Sequence, residues 1–282
     1  MKSLLAHIRI LRPLNLIIGA VAVIVTASIL NKMDQVSVWF TALGVVVFSN
    51  AAANVLNDYF DQEIDRINRP NRPLITGDVK SRTALLLAII FFTIGAILSF
   101  TLISTATIIA VVIALPLMIF YSIWFKGMPL IGNIIISFIL GLTFLFAGAA
   151  LGDLKTMIIP AILAFGLTLV RELVKDISDI EGDSKVNLRT FPIVAGVKSA
   201  WNLASVFSIF IGIGAIIPYI TEVYNYWYLL FVIIGVEIPL ALTVFLTMKS
   251  STITTAKQVA KLLKFSTIAG VLAVWLGSIN GI

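Results

Sequence analysis

The segment NDYFDQEIDRINRPNRP, residues 57–73, gathers four acids and three arginines in a chain that is otherwise 60% hydrophobic. Asn57, Asp61 and Asp65 recur every four residues, so on a helix they share one face, with Asp58 beside them. A second segment, RELVKDISDIEGDSK at 171–185, spaces Asp176, Asp179 and Asp183 by three and four, again on one face. Two rows of carboxylates repel each other at a membrane edge, where the dielectric is low. Something positive belongs between them. A hard divalent cation suits best, because Mg²⁺ takes one or two carboxylates and completes its shell with water and substrate phosphate. Arg66, Arg69, Arg72, Lys126, Lys175 and Arg189 can then grip the phosphate oxygens that the metal leaves free, arginine with a bidentate fork. Metal and arginine together indicate a diphosphate.

The elements that must position these residues are membrane spans. With 282 residues, 12% of them charged, and a mean hydropathy of +1.07, the chain reads as an all-α polytopic membrane protein forming one domain over 1–282. There are no cysteines, which excludes disulfides, thiolate metal sites and cysteine nucleophiles. Nine apolar stretches long enough to cross a bilayer recur at 14–31, 36–57, 84–103, 105–123, 130–151, 156–175, 199–220, 226–248 and 262–280. The first has basic residues before it, as a signal peptide would, but its apolar run is too long for one and it is read as retained. With the N-terminus inside, 18 of the 20 lysines and arginines fall in cytoplasmic segments, leaving Lys32 and Lys155 outside. The net charge of +6 therefore reflects topology before it suggests nucleic acid. Trp39, Trp124, Tyr224, Tyr226, Trp227 and Tyr228 fit interfacial belts.

NDYFDQEID and DISDIEGD resemble the two signatures of the UbiA-type intramembrane prenyltransferases, and the likeness extends to nine spans with the signatures after spans 2 and 6. YSIWFK is similar to that family's short basic loop, adding Lys126, and LRPLN resembles its first-helix motif, adding Arg12 and Asn15. Within the family, NDYFDQEIDRINRPNRPL and RELVKDISDIEGD look most like the archaeal digeranylgeranylglyceryl phosphate synthases.

The resemblance implies a helical bundle around a central apolar chamber, with the active site at the cytoplasmic side. Two Mg²⁺ ions held by Asn57, Asp61 and Asp65 on one side and Asp179 and Asp183 on the other would bind a prenyl diphosphate, with Asp176 a further ligand or a helper. Arg66, Arg72 and Lys126 would stabilise the departing diphosphate. Geranylgeranyl diphosphate is the implied donor, and the implied acceptor is geranylgeranylglyceryl phosphate, which gains an ether bond. Asp58, Asp176 or the diphosphate itself could take the acceptor's proton. An aromatic acceptor of the 4-hydroxybenzoate type is the alternative. A secondary transporter is the competing class, but transporters hold coupling sites near the bilayer midplane, whereas these charges sit at span ends. Glu237, inside IIGVEIPLAL, is the exception and a functional candidate by position.

Overall fold

The computed structural model describes residues 2–279, and all regular structure among them is helical. Helix α1 (Lys2–Ile10) meets α2 (Pro13–Ile29) at a 55° bend. There follow α3 (Val36–Phe60), α4 (Gln62–Asn68), α5 (Ser81–Ser99), α6 (Ser104–Ile123), α7 (Ile131–Ala150), α8 (Ile158–Lys185), α9 (Phe191–Ala195), α10 (Val197–Ile220), α11 (Tyr226–Lys249) and α12 (Ile253–Ser278). Among the described residues, eight helices are long and apolar enough to cross a membrane, and the bent α1–α2 pair makes a ninth if it is one span. The protein is thus a multi-span helical membrane protein. Residue 280, the expected end of the last span, lies outside the described residues.

Two spans contain π-helical turns, Ile108–Ala114 in α6 and Ile233–Glu237 in α11. Each precedes a proline, Pro116 or Pro239. Proline has no N–H to donate and its ring presses on the carbonyl four residues back, so the helix widens locally to absorb the defect. Where helices approach most closely, small residues permit it. A Cβ on Gly141 of α7 would lie 2.7 Å from the Ala161 carbonyl oxygen of α8. In a bilayer such close packing replaces the hydrophobic drive between helices.

Two expectations need correction. The last helix begins at Ile253, not 262. Thr252 caps it by accepting the Thr255 N–H at 3.1 Å, and residues 253–269 contain no glycine or proline, so nothing stops the helix from starting early. Lys257, Lys261 and Lys264 therefore stand on a helix face rather than in a loop. The aromatic run also divides. Tyr226 is 60% exposed, as a belt residue would be, but Tyr228 is fully buried and donates its hydroxyl to the Ala215 carbonyl at 2.6 Å, with Tyr224 packed against it. Those two belong to the core.

The spans enclose a cavity of about 640 Å³. Its deep walls are apolar, with Ile18, Leu140, Phe144, Leu163, Ile211 and Val271 among them. At one end the α3–α5 loop, the α6–α7 loop and the C-terminal part of α8 converge, tied by Asn68 to Asp179 and by the Arg189 N–H to the Gly127 carbonyl at 3.0 Å.

Candidate active site

The first acidic row sits where α3 gives way to α4. Asp61 occupies the junction, yet the chain keeps its helical rhythm there: the Asp61 N–H reaches the Asn57 carbonyl at 2.9 Å, and the Asp65 N–H the Asp61 carbonyl at 2.8 Å. Asn57, Asp61 and Asp65 so keep one face, as their spacing requires. The second row runs along the last turns of α8. Asn68 staples the two: its Nδ2 donates to the Asp179 carbonyl at 2.9 Å and its Oδ1 accepts the Gly182 N–H at 3.2 Å. The staple needs a glycine, since a Cβ at 182 would lie 2.4 Å from Asn68 Nδ2.

Basic side chains thread the carboxylates. Arg69 spans the rows, 2.7 Å from Asp179 Oδ2 and 3.7 Å from Asp65 Oδ1. Arg72 bonds Asp58 at 2.7 Å and also pairs with Asp65. Arg12 pairs with Asp58, and Lys126 with Asp61. Arg12 takes a left-handed backbone, φ 56° and ψ 69°, at the bend between α1 and α2. For a residue other than glycine that conformation costs about 1–3 kcal/mol, and its ion pair with Asp58 helps to hold it there.

The charges tune each other. At Asp61 the upward push of burial is outweighed by the Lys126 ammonium, and the carboxyl sits below its ordinary range. At Asp65 burial prevails over Arg72, and the carboxyl is raised. Burial lowers Arg72, with the nearby Arg12 adding to the effect, while at Arg69 the Asp179 carboxylate more than offsets burial.

Arg12, Asn15, Asn57, Arg69, Arg72, Lys175 and Asp179 line the cavity. Asp61, Asp65 and Asp183 are buried but are not among its lining residues, and neither is Lys126. Asp176 also stands off the wall, taking the Asn133 amide at 2.8 Å. Arg66 and Arg189 are exposed and are not brought to the cavity. Glu237 packs off the cavity too: a Cβ on Gly212 of α10 would lie 2.7 Å from its Oε2, and its Oε1 has no hydrogen-bond partner among the described residues.

Spacing alone missed several residues. Glu172 is buried, lines the cavity and takes Lys175 at 2.8 Å as well as Arg171. Its signal was an acid three residues before a lysine inside an apolar stretch. Asn50 and Asn54 also line the cavity; they extend the Asn57–Asp61–Asp65 face deeper into α3 at helical spacing.

Among the described residues no three acids or histidines gather closely enough to hold a metal by themselves. The donors nevertheless fit a hard cation. They are all oxygen, Asp65 Oδ1 is buried without a hydrogen-bond partner among the described residues, and Mg²⁺ needs only one or two carboxylates beside water and phosphate.

An apolar intramembrane cavity closed by arginines and carboxylates is what a lipid-diphosphate enzyme requires, and the chain belongs to the UbiA prenyltransferase family, whose profile matches residues 15–278. It is a prenyltransferase. Among curated relatives, it is 33% identical over 273 residues to the digeranylgeranylglyceryl phosphate synthase of Methanosphaera stadtmanae, covering 97% of this chain and 99% of that one. It is equally 33% identical to the enzyme of that name from Methanothermobacter thermautotrophicus over 275 residues, covering 96% and 95%. A solved structure of digeranylgeranylglyceryl phosphate synthase superposes with a TM-score of 0.77 at 32% identity, covering 100% of both chains. A UbiA homologue from Archaeoglobus fulgidus, solved with DMAPP and Mg²⁺, shares the fold at a TM-score of 0.62 and 18% identity, over 94% of this chain and 98% of that one.

Proposed function

We propose that the protein transfers a geranylgeranyl group from geranylgeranyl diphosphate to the free hydroxyl of geranylgeranylglyceryl phosphate, forming an ether bond of archaeal-type membrane lipid. The observation that carries this reading is the Arg69 bridge, which brings both acidic signatures to one end of a largely apolar cavity. The names of the full-length relatives supply the acceptor. In this reading the protein spans the cell membrane with its N-terminus and both signatures on the cytoplasmic side, because 18 of 20 basic residues sort there.

Asn57, Asp61 and Asp65 on one side and Asp179 and Asp183 on the other would hold Mg²⁺, two ions if each row takes one. Bound there, the metal would neutralise charge that grows on the diphosphate as the allylic C–O bond breaks. Arg69 and Arg72, at the cavity wall, grip the phosphate oxygens, and Lys126 steadies Asp61 through their ion pair. The bond breaks with its electron pair leaving on the diphosphate, and the acceptor oxygen then bonds to the allylic carbon. Its proton must go elsewhere. Asp58 is locked by two guanidiniums, and Asp176 is tied to Asn133 and off the wall. That leaves the departing diphosphate as the base. Apolar walls hold the twenty-carbon chain and keep water from the cation.

The test is purified protein in lipid with Mg²⁺, labelled geranylgeranyl diphosphate and a panel of acceptors. Transfer to geranylgeranylglyceryl phosphate is expected to dominate. The dephosphorylated alcohol should be a markedly poorer acceptor, since one lost charge-assisted contact costs about 1.5–3 kcal/mol. Faster transfer to 4-hydroxybenzoate would overturn the reading.

A further inference from the structure

Three lysines on α12 have no part in the chemistry above. Lys257, Lys261 and Lys264 are spaced by four and three, so they form one stripe of the helix. All three line the cavity. Lys257 and Lys261 are exposed and Lys264 is partly buried. Arg171 of α8 lines the same cavity. Its Nη1 meets Glu172, but its Nε is buried without a hydrogen-bond partner among the described residues.

The cations around the cavity fall into two groups. Arg12, Arg69, Arg72, Arg171 and Lys175 each pair with a carboxylate. Among the described residues, no acid lies within ion-pair distance of Lys257, Lys261 or Lys264, although eight such contacts form elsewhere. The first group mixes carboxylate with guanidinium, whereas the α12 lysines have no carboxylate within ion-pair distance; Arg12, Arg171, Lys175 and Glu172 act on Lys264 only from further off. A diphosphate that arrives with a divalent cation suits the mixed group. A phosphate monoester, with a charge of about −1.5 to −2 at neutral pH and no metal of its own, suits the lysines.

The stripe continues inward. Thr267, Gly270, Val271 and Val274 of α12 line the cavity below Lys264, a run of about 15 Å from Lys264 to Val274 at helical rise. A single helix face therefore presents ammonium groups at the mouth and an apolar groove beneath, the pattern of an amphiphile with an anionic head and a hydrocarbon tail.

We propose that Lys257, Lys261 and Lys264, with Arg171, form the site for the phosphate monoester of the acceptor lipid, beside the diphosphate site in the same cavity. The proposal rests on the reaction assigned above and names the residues that select its acceptor. Bulk anionic headgroups share the acceptor's chemistry, and the assay separates the two sources.

The experiment compares wild type with the Lys261→Gln, Lys264→Gln double variant in vesicles of zwitterionic lipid and of lipid with an anionic fraction. Steady-state KM is measured for geranylgeranyl diphosphate, for geranylgeranylglyceryl phosphate and for the dephosphorylated alcohol. The variant is expected to raise KM for the phosphorylated acceptor about ten- to a hundredfold, the size of one lost charge-assisted contact, in both vesicle types. KM for the donor and for the alcohol should stay put. Glycerol 1-phosphate should compete with the acceptor in wild type and lose that competition in the variant. An unchanged acceptor KM, an equal rise in donor KM, or a difference that vanishes in zwitterionic vesicles would each overturn the site. If the double variant fails to fold and loses turnover with both acceptors, the exposed Lys257→Gln gives the same readouts. If wild type ignores the phosphorylated acceptor, the assigned reaction itself fails and the site falls with it; a wild type that uses this acceptor beside an indifferent variant refutes the site alone.

Discussion

Replacing Arg69 with glutamine tests whether one guanidinium holds the two acidic rows together. Arg69 makes a 2.7 Å bond to Asp179, on the last turns of α8, and a looser 3.7 Å contact to Asp65, on α4. The first is a charge-assisted bond of about 1.5–3 kcal/mol. The second adds less than about 1 kcal/mol at that distance. Since the Arg69 side chain is 33% exposed, solvent screening brings the sum to roughly 2 kcal/mol. That corresponds to about a thirtyfold change in a local opening equilibrium. The Gly182 N–H, bonded to Asn68 across the same junction, reports the opening directly through hydrogen exchange. Its protection should fall about thirtyfold in Arg69→Gln, while amides in the middle of α3 and α5, remote from the junction, keep theirs. Adding Mg²⁺ with inorganic diphosphate should restore much of the lost protection, because a divalent cation can replace the guanidinium between the rows. Unchanged exchange at Gly182 would show that Asn68 alone fastens α4 to α8. A uniform loss across α3 and α5 would show that Arg69 supports the whole bundle rather than this junction.

Chelating divalent cations is expected to abolish turnover, and Asp61→Ala or Asp183→Ala should each lower it by orders of magnitude with helical circular dichroism intact; near-wild-type rates with added Mg²⁺ would remove that residue from the ligand set. Gly182→Ala would place a methyl 2.4 Å from Asn68 Nδ2, and a loss of about 1–3 kcal/mol from overpacking should appear as a lower melting temperature in detergent, an effect that Asn68→Ala in the same chain should largely relieve. Because the native chain has no cysteine, single cysteines at Ser81 and Ser184 can be probed with impermeant thiol reagents. Both should react only from the cytoplasmic side and one at Gln35 only from the other, and opposite labelling of Ser81 and Ser184 would break the nine-span topology.

The spans could be read from the sequence because a bilayer leaves little choice. Every backbone polar group must be satisfied inside its own helix, so each crossing needs an unbroken apolar run, and the runs at 36–57, 84–103 and 130–151 reappear within a few residues as α3, α5 and α7. The acidic rows were readable for a similar reason, since carboxylates at a membrane edge are too costly to be incidental. Glu172 escaped notice because it sits at the inner end of an apolar run and is neutralised by its own neighbours, Arg171 and Lys175. Tyr228 escaped for another reason. A tyrosine at a span end looks the same in sequence whether its hydroxyl meets water or, as here, the Ala215 carbonyl in the core.

The basic residues mark the limit of spacing arguments. Cytoplasmic loops collect lysine and arginine to fix orientation, and a diphosphate enzyme collects them at the same face to hold its substrate. Both demands write the same letters. Arg66, Arg69 and Arg72 recur every three residues and are equivalent by any count of charge. Yet Arg69 and Arg72 turn toward Asp179, Asp58 and Asp65, while Arg66 is exposed. The difference is made by where α4 stops. The helix ends at Asn68, and Arg69 leaves it with a non-helical backbone, φ −146° and ψ 63°. Beyond that end Arg69 and Arg72 line the cavity, while Arg66, still within α4, is exposed. Lys257, Lys261 and Lys264 repeat the lesson. In a loop they would serve topology alone, but one capping threonine at 252 starts α12 early enough to turn them onto the cavity wall.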